Sequence, residues 1–328
     1  MSTSHVYAQL LGAEAGMESE IFVDRDSARK RKLLRNARAV SRAQVVNALS
    51  LNLVKFAVAF VLVILILFIS SVMVKGLFAY KPGFLAFDGK GIGNQIFNTC
   101  YLCLISLLIS APLGVGAGIY MSEYAKEGKL TDLIRLCMES LSSLPSVVIG
   151  LFGYLMFISL PQSRWNLLSA ALTLSIINLP LIARNTEDAA RRVPKAVKAA
   201  SYALGASKWQ TVSRMIVPAA SQGILTGIIL AAGRVFGEAA ALLYTAGMSS
   251  NIDWSSVYQV GKSSSPFNLF RPGETLALFI WAQRTEALGA DAGAKASFAS
   301  AVLLLLVLSF LIGARLLEKK VRGSQSHV

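Results

Sequence analysis

Arg234 lies within a long apolar run, and Glu238 follows it by four residues. At helical spacing that interval puts a guanidinium and a carboxylate on one face. A charge at the centre of a bilayer costs about 2.5–3.5 kcal/mol on insertion scales, so a protein keeps one where it faces a polar interior. Two readings follow: a structural ion pair between helices, or a translocation pathway for a charged solute. Arg184 stands near Pro180 at the end of another apolar run. It either snorkels to the headgroups or turns inward and joins Arg234 in one cavity. Two guanidinium groups against one carboxylate leave net positive charge. That suits an oxyanion, because a guanidinium fork matches phosphate oxygens in bidentate fashion.

Other chemistries lack their residues. The two histidines, His5 and His327, both lie in the tails, so no histidine-based metal or catalytic site is expected. No G-x-S-x-G occurs, and no enzyme activity is expected of this chain. Gly261-Lys262-Ser263 imitates the end of a P-loop, but Ser256 stands where the leading glycine belongs. Gly89, Gly91 and Gly93 make a flexible turn rather than a dinucleotide fingerprint. Cys100 and Cys103 form a C-x-x-C inside an apolar run, where they read as small apolar packers. Three cysteines are too few for a disulfide framework.

The elements that must carry the charged residues are membrane spans. Of 328 residues, 54% are hydrophobic and 15% charged, and the mean hydropathy is +0.57. Soluble domains carry about 25% charge, so too little polar surface is left here to cover a water-soluble globule. Six spans are expected: Leu53 to Val74, Asn98 to Tyr120, Leu141 to Leu160, Leu167 to about Ile182, Gly223 to Tyr244 and Phe298 to Leu316. The first has 22 residues, about 33 Å of helix against roughly 30 Å of hydrocarbon. Gly114/Gly118, Gly223/Gly227 and Gly233/Gly237 are small-residue pairs that permit close helix approach.

The net charge of +14 reads as membrane topology. Arg29, Lys30, Arg31, Lys32, Arg35, Arg38 and Arg42 crowd the approach to the first span. The lysines and arginines near the span ends place both termini in the cytoplasm. The expected organisation is a cytoplasmic basic tail (1–50), a transmembrane domain (51–320) and a short cytoplasmic tail (321–328). Two connections are too organised to be mere linkers. In the cytoplasmic segment 185–220, Pro194 opens a helix over Lys195 to Leu204, Gly205 interrupts, and Ala206 to Ile216 is helical again before Pro218. Two short helices about a glycine turn suit docking on a partner. The other is the external segment 246–296, with Trp254, Pro266, Pro272 and Trp281.

Residues 199–218 read AASYALGASKWQTVSRMIVP. This resembles the cytoplasmic "EAA" loop of ABC-importer permeases, with Ala200, Gly205 and Pro218 matching and Ala199 standing where that family usually has Glu. Gly118–Ala125 (GIYMSEYA) and Leu144–Gly153 (LPSVVIGLFG) resemble segments of phosphate permeases. Gly237–Gly247 (GEAAALLYTAG) and Phe279–Ala282 resemble the PstA-type subunit in particular, with departures at Ala239 and Ala241. The resemblance covers roughly residues 50–320 and leaves the N-terminal extension unexplained.

The resemblance implies an all-α, polytopic ABC-importer type I (MetI-like) permease in the bacterial cytoplasmic membrane. It implies a second permease subunit (PstC type), two ATPase subunits (PstB type) and an external phosphate-binding protein (PstS type). ATP and Mg would be bound by the ATPase subunits, with no cofactor on this chain. It assigns Arg184, Arg234 and Glu238 to phosphate passage, and Ala199, Ala200, Gly205 and Pro218 to the ATPase coupling loop. Two alternatives remain: a permease for another oxyanion such as sulfate or molybdate, and an ion-coupled secondary carrier.

Overall fold

The structure, a computed structural model, describes residues 47–89, 91–286, 289 and 291–325. The seven basic residues named in the N-terminal tail, and the last three residues of the C-terminal tail, lie outside the described residues. The chain divides into a unit ending at Ser70 and a unit from Ser71 onward. The described part of the first unit is apolar helix, the start of α1 (Asn47–Phe78).

Every regular element among the described residues of the second unit is helical. They are α2 (Gly93–Ile119), α3 (Lys129–Ser143), α4 (Ser146–Tyr154), α5 (Leu167–Arg191), α6 (Lys195–Ala203), α7 (Lys208–Thr211), α8 (Val217–Gly237), α9 (Leu242–Thr245), α10 (Leu276–Thr285) and α11 (Ala292–Gln325). Five helical runs of the described chain are long and apolar enough to cross a membrane: Asn47–Phe78, Gly93–Tyr124, Leu167–Arg191, Lys208–Gly237 and Ala292–Leu316.

A sixth apolar segment is sharply bent, as a broken span or a re-entrant loop is. α3 and the run Ser146–Ser159 pass the same test only together, and they meet at 100°. The expected continuous helix from Leu141 to Leu160 is therefore corrected. Pro145 disfavours helical backbone at the residue before it. Leu144 is accordingly extended (φ −65°, ψ 139°), and Pro145 follows it at ψ 136°.

The other prolines do not end their helices. α5 continues eleven residues past Pro180, to Arg191, so residues 185–191 of the expected loop belong to a span. Pro218 is absorbed at the start of α8, just after a π-helical turn. A π-helical turn, Val212–Ile216, joins α7 to α8, so the second docking helix and the fifth span form one run. That span ends at Gly237 rather than Tyr244.

α5 is the axis of the second unit. Its buried face includes Leu174, Ile177, Ile182 and Ala190. α2 packs along one side of it and α8 along another. The glycine pairs make both approaches close. A methyl group at Gly114 would lie 2.8 Å from Ile182 Cβ, and one at Gly118 would strike the Ala183 carbonyl oxygen. On α8, a methyl group at Gly227 would lie 2.7 Å from Asn185 Cβ. The pair Gly233/Gly237 meets no such neighbour, and Gly237 faces open space.

Candidate functional site

Arg184 lines a cavity of about 320 Å³ between α5 and α3, together with Arg135, Glu139, Pro180, Glu187 and Arg191. Residues 184, 187, 188 and 191 recur at helical spacing, so one stripe of α5 carries all four charges. Glu187 is buried. Its Oε1 accepts hydrogen bonds from Arg135 Nε (3.1 Å) and Nη2 (3.0 Å), and from Arg191 Nε (3.0 Å). Arg135 also reaches Asp132 Oδ1 at 3.4 Å. Among the described residues, Arg184 has no hydrogen bond or ion pair.

Arg234 and Glu238 do not line that cavity. Arg234 is half-buried in the last turn of α8 rather than mid-span. It lies seven residues beyond the Gly227–Asn185 contact, about 10 Å further along the helix. Glu238 is the C-terminal cap, with non-helical backbone (φ −76°, ψ 116°). Its Oε1 accepts from the Ala241 N–H at 3.3 Å. No ion pair joins Arg234 and Glu238 among the described residues. The cause is local. Gly237 gives the helix a weak last position, and the Glu238 carboxylate caps the turn that follows. A cation in the last turn still gains from the helix dipole.

The docking segment forms as its spacing predicts. α6 ends with Leu204 as its cap and Gly205 at φ +80°, which only glycine adopts without strain. The Gly205 N–H donates to the Tyr202 carbonyl (3.0 Å) and the Ala206 N–H to the Ser201 carbonyl (3.2 Å), a Schellman closure. Ser207 and Gln210 then form a reciprocal capping box that starts α7. Ala199, Ala200 and Pro218 are exposed. So are Leu204 (89%) and Trp209 (69%), which leaves an apolar knob without cover. Lys198 pairs with Glu123 in the π-helical turn that ends α2. Lys208 sits 4.8 Å from the centre of the Tyr124 ring. The docking helices are thereby fastened to α2 at two points.

The opposite end of the unit holds a polar cluster that sequence reasoning missed. Arg271 is only 2% exposed, and it donates to Asn98 Oδ1 (2.7 Å), the Pro266 carbonyl (2.9 Å) and the Pro272 carbonyl (3.1 Å). Burial lowers its pKa to about 10, so it remains a cation at neutral pH. Glu274 accepts from Gln95 Nε2 at 2.9 Å. Burial pushes its carboxyl up to about 7, against that bond. The resemblance of Gly261-Lys262-Ser263 to a P-loop dissolves here. Lys262 is committed to Asp253 Oδ2 at 2.6 Å in an exposed turn. Gln95 and Asn98 on α2 were the available signal, being amides one turn apart at the start of an apolar run. For Glu187 the signal was its i,i+4 spacing to Arg191.

Comparison with known proteins agrees with this architecture. Residues 114–323 match the family model "Binding-protein-dependent transport system inner membrane component". A probable ABC transporter permease protein, YqgI of Bacillus subtilis (strain 168), is 51% identical over 227 residues, 69% of this chain and 77% of that protein. The phosphate transport system permease protein PstA of Xylella fastidiosa (strain 9a5c) is 35% identical over 190 residues, 58% of this chain and 62% of that protein. The Yersinia pestis PstA is 36% identical over 185 residues, 56% of this chain and 61% of that protein. The match therefore spans about three-fifths of each PstA relative. Two solved importers share the fold at low identity. The alginate ABC transporter superposes with a TM-score of 0.58 at 13% identity, covering 82% of this chain and 94% of that one. The MetNI methionine ABC transporter gives 0.52 at 17%, covering 74% and 99%. An all-helical fold with five helices long and apolar enough to cross a membrane and a family match over residues 114–323 lead to one statement: this chain belongs to the binding-protein-dependent transport system inner membrane components, the permeases of ABC importers.

Proposed function

We propose that the chain is the PstA-type half of the membrane pathway of an ATP-driven importer of inorganic phosphate. The observation that carries this is Arg184, a guanidinium without a carboxylate partner among the described residues, facing a cavity large enough for a hydrated anion. Arg234, in the last turn of α8, offers a second station, with Glu238 as the helix cap that follows. The likeness to PstA proteins of other bacteria supports phosphate as the cargo. Each arginine replaces part of phosphate's hydration with bidentate contacts. Two stations of modest affinity pass an ion onward, whereas one tight site would hold it.

In this reading α6, α7 and Gly205 face the cytoplasm and dock on ATPase subunits of PstB type. Those subunits bind and hydrolyse Mg-ATP, so the chain itself is not an enzyme. A PstC-type permease supplies the other half of the pathway, and a PstS-type binding protein delivers phosphate to the 246–296 face. Both termini lie in the cytoplasm, and the whole sits in the bacterial inner membrane. The test is uptake of radiolabelled phosphate at low concentration by cells with and without this chain, with excess sulfate present. Loss of sulfate-insensitive uptake on deletion supports the reading. Unchanged uptake, in cells lacking other phosphate systems, removes phosphate as the cargo and leaves another oxyanion, sulfate or molybdate, to be tested by the same assay.

A further inference from the structure

Glu187 is the centre of the α3–α5 cavity, and nothing in the pathway reading above uses it. One buried carboxylate oxygen takes four guanidinium contacts: Nε and Nη2 of Arg135, and Nε and Nη2 of Arg191, all at 3.0–3.1 Å. Arg135 comes from α3 and Arg191 from α5. The cavity wall also carries Arg184, Glu139 and Asp188, so its three cations and three carboxylates balance.

The chemistry of that balance is specific. Two guanidinium forks directed at one point make an oxyanion site. Here the point is occupied by a side-chain carboxylate, which mimics one edge of the anion. Arg184, on the same cavity wall, remains free for a first contact. α3 is joined to α4 only through the extended Leu144–Pro145 corner, with a 100° bend. A rigid arm on a two-residue corner is the form a hinge takes. Swinging α3 about it separates Arg135 from Glu187.

We infer that Glu187 is a built-in competitor for the transported oxyanion. With the arm closed it occupies Arg135 and Arg191, so an anion arriving at Arg184 meets one guanidinium and leaves. With the arm open, Arg135 is released to join Arg184 as an anion ligand, while Arg191 stays on Glu187 within α5. Closing the arm returns Arg135 to Glu187 and expels the ion. The site is thus an oxyanion station whose affinity is set by an internal carboxylate. This deepens the phosphate reading and rests on it.

The test uses the whole importer complex, purified and reconstituted in vesicles, with radiolabelled inorganic phosphate as the probe. Glu187→Gln keeps the shape and removes the competing charge. The expected result is phosphate retention raised about tenfold, the scale of one charge-assisted contact, and uptake lowered at least fivefold. Adding Arg184→Gln to that variant returns retention to the parental level. Retention in Glu187→Gln at or below the parental level, with normal assembly, overturns the proposal. Where Glu187→Gln fails to assemble, Arg135→Gln is read instead. Its retention is expected below the parental level, and equality overturns the proposal. The parental complex separates the two readings. No phosphate uptake by it sinks the phosphate assignment, whereas normal parental uptake with unchanged retention in Glu187→Gln sinks only the competitor role.

Discussion

At the scale of residues, the charged groups divide by what they touch. Arg234 has no ion pair among the described residues, so replacing it breaks no such contact. Its substitution should therefore not lower membrane abundance. Arg234→Gln is expected to abolish uptake while the complex still assembles, as read by phosphate transport beside a quantitative blot. Unchanged uptake would remove Arg234 from the pathway. Glu274 behaves differently. Its carboxyl is raised from 4.5 to about 7 by burial, with Glu286 adding a like charge and Gln95 opposing through its hydrogen bond. A folded pKa above the unfolded one means that the folded state binds the extra proton between those values. That contribution is complete below about pH 4.5 and is lost as pH rises through 7. Thermal unfolding of the purified protein should shift downward between pH 5 and pH 8, and Glu274→Gln should flatten the shift. The full linkage is about 3 kcal/mol.

At the scale of elements, α5 is held by glycine faces. Gly118 packs against the Ala183 carbonyl and Thr186, so any side chain there forces α2 away from α5. Gly116, two residues earlier, has nothing within 4 Å of a would-be methyl group. Gly118→Val should lower stability by about 1–3 kcal/mol or more, the cost of overpacking. Gly116→Ala should be neutral or stabilising by up to about 1 kcal/mol through helix propensity. Unfolding in detergent reads both, and equal effects would contradict the assigned packing face. The periodic pattern made these helices and the first docking helix legible, down to Gly205 as its stop. It did not make the break at Pro145 legible. Pro112, Pro145, Pro180 and Pro218 all lie inside apolar or helical stretches. Three are absorbed and one bends the chain by 100°. Proline removes the same N–H in each case. Whether the chain continues depends on neighbours that donate to the freed carbonyl and on a backbone that relaxes, as the π-helical turn before Pro218 does.

At the scale of the second unit, α6 and α7 are tied to α2 by the Lys198–Glu123 pair and the Lys208–Tyr124 contact. Both partners on α2 lie in its terminal π-helical turn, one step from the glycine face against α5. Motion imposed on α6 therefore reaches α2 directly. Glu123→Gln should leave ATPase binding intact while uptake per ATP hydrolysed falls severalfold. The exchange Glu123→Lys with Lys198→Glu should restore part of it, as charge reversal does for a coupled pair. Full uptake in Glu123→Gln would assign the pair to stability alone.

The sequence by itself determined the class of this protein. Apolar runs near 20 residues have one cheap environment, and the glycine pairs, the docking helix and the arginine supply follow from residue type and spacing. It also marked Arg184, Arg234 and Glu238 as residues that a bilayer does not tolerate without reason. Only the tertiary structure decided where those charges stand. It separated Arg184 from Arg234 along the helices, ended α8 before Glu238, and brought Arg135 from another helix onto Glu187. The physical reason is range. Periodicity fixes which face of a helix a residue occupies, but helix ends and ion pairs between helices depend on contacts between segments far apart in the chain. Arg135 and Glu187 are 52 residues apart, and Asn98 and Arg271 are 173 apart. No local spacing carries such pairings.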